Sequence, residues 1–267
     1  MMTVVAGPCG AGKTHWIAQE LAQVSTAAAY VFLGAGTLPI DATRIGLQYP
    51  QVEVIEQPSE AGLLERLEAG VELYVEVGFQ LEPNLPFLQA CLHRCVGVVA
   101  DDQGADWRSW ADEWADEVVP GNASTLDLRS AQLWRAPLSG QVFDPPSIDM
   151  FWQELVRGAY GDVHRVKGIF EMADGRAFHM DFVKGLPNQE LPNQESPNQD
   201  LPKTVYTELK VPRWLEGRPQ RFSGMEVVGQ GLDQGAIATT LEACCLSDAL
   251  LLSHQAALQN SYSQAMP

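Results

Sequence analysis

The sequence predicts an α/β protein: a parallel sheet with helices on both faces, built around a glycine-rich loop, followed by a smaller α+β unit. Three observations carry that prediction. Short apolar runs alternate with helix-patterned stretches through about the first hundred residues. A glycine-rich loop joins the first apolar run to the first helix. Beyond about residue 140 the alternation gives way to strands paired through turn signals.

Strands are expected at 3–6, 29–33, 52–55, 71–77 and 96–100, runs mostly too apolar for a half-exposed sheet. Helices are expected between them at 15–24, 59–69 and 85–92. In the second of these Ser59 is placed as N-cap, Leu63, Leu64 and Leu67 share one side, and Gly70 terminates the element. The acid-rich run 101–117 carries Trp107, Trp110 and Trp114 at helical spacing, the pattern of an amphipathic helix lying on the sheet.

After the Pro145-Pro146 breaker, residues 147–157 put Ile148, Phe151, Trp152 and Leu155 on one helical face. Strands at 163–171 and 177–183, joined at Asp174-Gly175, read as a hairpin. Phe178, Met180 and Phe182 alternate with Ala177, His179 and Asp181, so one face is expected to be buried and the other wetter. Strands at 204–211 and 221–229 lead into a helix with Ile237, Leu241, Cys244 and Cys245 at helical spacing. Leu186-Pro187-Asn188-Gln189-Glu190 is repeated with small changes through Asp200, and a five-residue repeat with proline in each copy has little to bury. The expected organisation is a nucleotide-binding domain at 1–140, an α+β domain at 141–246 with a disordered insertion at 186–202, and a frayed helical tail at 247–267.

Composition bounds the function. The chain has 267 residues, 46% hydrophobic and 19% charged, which suits a globular protein with a real core. Against 34 acidic residues stand 17 basic ones, and a formal net charge of -17 is unsuited to a nucleic-acid partner, whose binding needs clustered Lys and Arg. No stretch approaches the roughly 20 apolar residues of a membrane span, and Met1 to Gly7 lack a basic segment followed by an apolar one. A cytoplasmic chain with no membrane partner is expected. Five cysteines, an odd number without a dense framework, point to reduced thiols.

The most specific motif is Gly7-Pro8-Cys9-Gly10-Ala11-Gly12-Lys13-Thr14, a complete G-x-x-x-x-G-K-[ST] between a strand and a helix. Its glycines let backbone N–H groups turn inward around phosphates, the helix N-terminus favours an anion, Lys13 neutralises terminal phosphates, and Thr14 can ligate Mg²⁺. Other constellations are weaker. Cys91 and Cys95 stand at helical i, i+4 spacing, where His93 would point elsewhere, a poor metal site. Cys9, near Lys13 and a helix N-terminus, is either an oxidisable thiol or a loop filler. Arg165 and Lys167 share one strand face, either solvated or turned to the nucleotide domain or an acidic partner.

The loop GPCGAGKT, the string Val163-His164-Arg165-Val166-Lys167-Gly168-Ile169-Phe170, and the run Arg221 to Gly229 followed by Leu232-Asp233 together resemble the CobW family of P-loop GTPases. The resemblance implies a P-loop NTPase domain followed by a CobW C-terminal-like α+β domain, and a reaction that hydrolyses GTP to GDP and phosphate. Glu76-Val77-Gly78-Phe79-Gln80-Leu81-Glu82-Pro83 aligns with the family's Walker B and switch segment at Glu76, Glu82 and Pro83, with Gly78 one place early. It makes Glu76 the catalytic and Mg²⁺-orienting acid; read from the residues alone, Glu76 also suits a strand cap. The family's G-C-x-C-C metal segment has no counterpart, since no cysteine lies between the second strand and Glu76. The guanine-reading N-K-x-D aligns with Gly121-Asn122-Ala123-Ser124, without its carboxylate.

The expected function is a metallochaperone-like nucleotide-binding accessory protein that takes GTP or ATP with Mg²⁺, hydrolyses slowly or not at all, and serves a protein client. The alternative is a non-enzymatic regulator or scaffold binding a protein partner through the C-terminal domain. The missing base-reading and cysteine segments favour the second, and the intact Lys13-Thr14 pair favours the first.

Overall fold

A computed structural model describes residues 1–34, 38–79, 81, 93–100, 105–123, 126, 130–186 and 205–265. The chain divides into two compact units, Met1–Thr125 and Leu126–Pro267.

The first unit is a six-stranded parallel sheet in the order β3-β2-β4-β1-β5-β6. Its strands are β1 (Met2–Ala6), β2 (Ala28–Leu33), β3 (Val52–Ile55), β4 (Glu72–Val77), β5 (His93–Val99) and β6 (Glu117–Pro120). Its helices are α1 (Lys13–Leu21), α2 (Ile40–Gln48), α3 (Glu60–Glu68) and α4 (Ala105–Asp112). Alternate strand residues feed opposite layers. Val5, Tyr30, Val96 and Val98 pack with Ile17, Leu21 and Ile45 of α1 and α2, whereas Met2, Val4, Leu73 and Val75 pack with Leu63 of α3. Ser59 caps α3, its hydroxyl accepting from Gly62 N at 3.2 Å.

Two features depart from the sequence reading. Helix α2 was not expected, because Pro39 precedes it and Gly46 interrupts an apolar side made chiefly of Ile40 and Ile45. Cys95 lies on β5 rather than on a helix, its neighbours pairing with β1 from Met2↔His93 to Ala6↔Gly97. The i, i+4 thiol argument therefore lapses. The expected helix at 85–92 lies outside the described residues.

The second unit is an antiparallel five-stranded sheet, β10-β9-β8-β11-β7. It comprises β7 (Gln132–Pro137), β8 (Asp162–Glu171), β9 (Ala177–Val183), β10 (Val205–Glu208) and β11 (Gly224–Gln230), with α5 (Pro145–Val156), α6 (Gln234–Ala243) and α7 (Asp248–Ala265). The division falls before residue 140 because β7 pairs with β11, Val227 opposite Trp134. Asp144 caps α5, accepting from Ser147 N at 3.1 Å, with prolines in the first turn where no N–H is needed. Trp152 and Phe151 of α5, Ile237 and Leu241 of α6, and Val166, Phe170, Met180 and Val227 of the sheet form one core. Within it Phe170 meets Phe143 edge to face at 5.5 Å between ring centroids.

In the tail, α7 buries Leu251 and Gln255, one turn apart, and Gln255 accepts from Gly217 N at 2.8 Å while donating to Gly217 O at 3.1 Å. The expected insertion lies, except for Leu186, outside the described residues; it joins β9 to β10, which pair as neighbours with Val205 opposite Asp181. Removal of residues 187–200 is expected to shift the thermal midpoint by no more than about 2 °C, since loop-closure entropy changes slowly with length. A scanning-calorimetry drop of 5 °C or more would contradict this.

Candidate nucleotide site

β1 ends at Ala6, and Gly7 then passes so close to β5 that a Cβ there would lie 2.3 Å from Val98 O. Only glycine fits. Gly10 and Gly12 take φ of 78° and 101°, the left-handed region that side chains disfavour, and so turn the chain into α1. Gly12 stands at the N-cap with no side chain to satisfy the first N–H groups of α1, which suits that end to an anion.

Lys13 arches over this loop, its Nζ donating to Gly7 O at 2.9 Å and Pro8 O at 3.0 Å, and is buried. Thr14 Oγ1 donates to Glu76 Oε1 at 3.0 Å. Glu76 stands on β4 opposite Val5 of β1 and Phe32 of β2, and is only 2% exposed. Parallel pairing thus sets the carboxylate beside the first turn of α1, and Lys13, Thr14 and Glu76 are brought together. From β2, Tyr30 OH donates to the other carboxylate oxygen, Oε2, at 2.8 Å. Burial first, then the charges of Glu76 and Asp41, push the Tyr30 phenol well above its ordinary value, so it stays a donor. Asp41, in the first turn of α2, is itself buried.

After β6, Asn122 closes the loop from the far side. Its backbone N–H donates to Ala11 O at 2.9 Å and its amide to Gly10 O at 3.1 Å. The residue that reaches the Gly7–Thr14 loop is therefore Asn122, one place after the Gly121 aligned with the family asparagine. Gly121 instead permits close approach, since a Cβ would lie 2.8 Å from Ala11 O. Ser124, Glu82 and Pro83 lie outside the described residues. Gly78, one place early for the switch segment, spends its N–H on Leu33 O at 2.7 Å, continuing the β4–β2 ladder.

Sequence reasoning missed Tyr30, Asp41 and the contact of Asn122. Tyr30 sits within an apolar strand and reads as core, and Asp41 belongs to the helix that was not expected. For Asn122 a signal existed: shifting the base-reading alignment by one residue places an asparagine on the asparagine.

Burial raises Cys95 and Cys244 above the usual thiol range and pushes Cys245 to about 11. Among the described residues no group of three or more His, Cys, Asp or Glu side chains could hold a metal ion. The Thr14 hydroxyl and Glu76 carboxylate are hard oxygen donors at a phosphate loop, a set that fits Mg²⁺ completed by phosphate oxygens and water.

Arg165 and Lys167 have acidic neighbours on their own sheet. Lys167 Nζ lies 3.3 Å from Glu226 Oε1, Arg135 Nε donates to Glu226 Oε2 at 2.9 Å, and Arg165 Nε is 3.9 Å from Asp181 Oδ1. His179, expected on a wetter face, is 2% exposed. Burial raises the Glu226 carboxyl but Lys167, Arg135 and Arg165 together outweigh it, leaving Glu226 below its ordinary value and ionised. Among the described residues no helix is long and apolar enough to cross a membrane.

Residues 138–245 match the family described as the cobalamin synthesis protein cobW C-terminal domain. Solved structures aligning with the chain include the Zn(II)-bound YjiA GTPase from E. coli, at 13% identity, covering 91% of this chain and 98% of that one, with a TM-score of 0.33. A Zn(II)-bound triple mutant of YjiA GTPase aligns at 14% identity with the same coverage and TM-score. No curated protein sequence matches the chain.

Proposed function

We propose that the chain is a CobW-type protein, on the match of residues 138–245 to the cobW C-terminal domain family, and that its first unit is a nucleotide site binding GTP or ATP with Mg²⁺, with slow or absent hydrolysis. The observation carrying the reading is the convergence of Lys13, Thr14 and Glu76 at the uncapped N-terminus of α1. Backbone N–H groups from the loop and the first turn cradle the phosphates. Lys13 exchanges its two carbonyl acceptors for phosphate oxygens. Thr14 and Glu76 hold Mg²⁺, which when bound supplies charge neutralisation at the terminal phosphates.

Slow turnover follows from what surrounds the carboxylate. Both Glu76 oxygens accept hydrogen bonds, so it orients rather than takes a proton, and the Gly78 N–H, engaged by Leu33 O, is not presented to a γ-phosphate. A protein partner, as client or as target of a scaffold, is the second reading. It is favoured by the exposed Val205 and Tyr206 of β10, which stands at the sheet edge.

Base selectivity is expected to be weak. Guanine is normally read by a carboxylate accepting two hydrogen bonds, and such a site discriminates strongly because the wrong base leaves buried groups unpaired. Counting from Gly121 or from Asn122, Ser124 or Thr125 stands in that place. GTP and ATP should therefore bind within about tenfold, roughly 1.4 kcal/mol, of each other. Competition titrations against a fluorescent analogue test this, and a GTP preference of about a hundredfold or more would show that another residue reads the base.

A further inference from the structure

We propose that Tyr30 is a positioning residue for Glu76: its phenol fixes the carboxylate so that a single oxygen, Oε1, is turned to Thr14 and to the cation held there. The inference rests on the nucleotide-site reading and deepens it.

The terminal torsion of a glutamate is broad, so an unrestrained carboxylate presents either oxygen, or both, to a cation. Here the two oxygens are divided between two donors on different elements. Oε1 accepts from Thr14 of α1 at 3.0 Å, and Oε2 accepts from Tyr30 of β2 at 2.8 Å. Glu76 is opposite Phe32 on β2, two residues from Tyr30, so both side chains leave the same face of adjacent strands. Tyr30 is completely buried and packs in the core with Ile17, Leu21 and Ile45, which holds the ring in place. For packing alone any residue of that volume would serve. The hydroxyl is placed for the carboxylate. Partners behind a metal-binding carboxylate orient it, and their loss commonly weakens the metal by about tenfold to a hundredfold.

The test uses the full chain and a fluorescent GTP analogue, titrated with Mg²⁺ and again with EDTA. In Tyr30→Phe, which keeps the ring, affinity in EDTA should stay within about twofold of the unsubstituted protein, while the gain produced by Mg²⁺ should shrink about tenfold. In Glu76→Gln most of the Mg²⁺ gain should be gone, and adding Tyr30→Phe to it should take away nothing more, because both substitutions remove one device. Tyr30→Met, which fills the slot without a hydroxyl, should reproduce Tyr30→Phe and keeps the test open if that variant folds poorly.

Equal losses with Mg²⁺ and with EDTA would assign Tyr30 a merely structural role and overturn the proposal. An unchanged Mg²⁺ gain, or additive losses in the double variant, would do the same while leaving the nucleotide site standing. Failure of the unsubstituted protein to bind nucleotide under either condition would overturn both.

Discussion

Replacing Lys13 by alanine is expected to reduce nucleotide affinity at least about a hundredfold, a loss of about 2.7 kcal/mol or more, because in the proposed site its ammonium is the charge that meets the terminal phosphates. The sequence alone suggests an exposed lysine whose loss costs the fold nothing. The structure corrects this: Lys13 is 6% exposed and donates to Gly7 O and Pro8 O. Removing it takes a donor from Gly7 O and leaves Pro8 O only the Ala11 N–H at 3.3 Å, and is expected to cost about 1–3 kcal/mol of stability as well. Fluorescence titration and thermal melting of the same sample separate the two effects. Unchanged affinity would end the phosphate-loop reading, whatever the melting curve does.

Arg221→Ala is expected to have the largest effect on stability. Its guanidinium grips both oxygens of Glu171, with Nη2 to Oε2 at 2.7 Å and Nε to Oε1, and also donates to Pro212 O at 2.7 Å. The Glu171 side chain is 1% exposed. Deleting the arginine strands a buried carboxylate, and breaking such a pair costs about 3–5 kcal/mol. The melting temperature should fall by on the order of 10 °C, whereas nucleotide affinity should change by less than about twofold. A loss below about 1 kcal/mol would mean that Glu171 finds another donor.

These two residues show what was legible in the sequence. The proposed phosphate loop stands out in the sequence because its chemistry needs contiguous residue types at fixed spacing, and the structure adds that Gly7, Gly10 and Gly12 are required by close approach or positive φ. The apolar strands of the first sheet were equally legible, since parallel strands buried on both faces have little compositional ambiguity. Arg221 was visible as part of a family string, but its reason, a clamp on Glu171 fifty residues earlier, depends on tertiary pairing.

The rest was hidden for similar reasons. Tyr30 reads as a core residue and is one; that its hydroxyl also meets Glu76 depends on the β2–β4 register. His179 and Lys167 alternate as a polar face should, and alternation does not say whether that face is wet or filled with paired charges. Strand β7 went unread because Gln132, Arg135 and Pro137 dilute its apolar content, and with it went its pairing with β11. The helix α7 lacks a clean apolar side, and its docking depends on the glutamine Gln255 rather than on a stripe of leucines.

The loop from Gly7 to Thr14 is proposed to be a working phosphate site. The most direct measurement is equilibrium dialysis of the full chain against GTP and against ATP, each with Mg²⁺, reading moles bound per mole of protein. The account predicts saturation at one nucleotide per chain for both, with bound nucleotide displaced by inorganic pyrophosphate, since the contacts are to phosphates. Absence of binding at millimolar nucleotide, or binding that pyrophosphate leaves untouched, would contradict it.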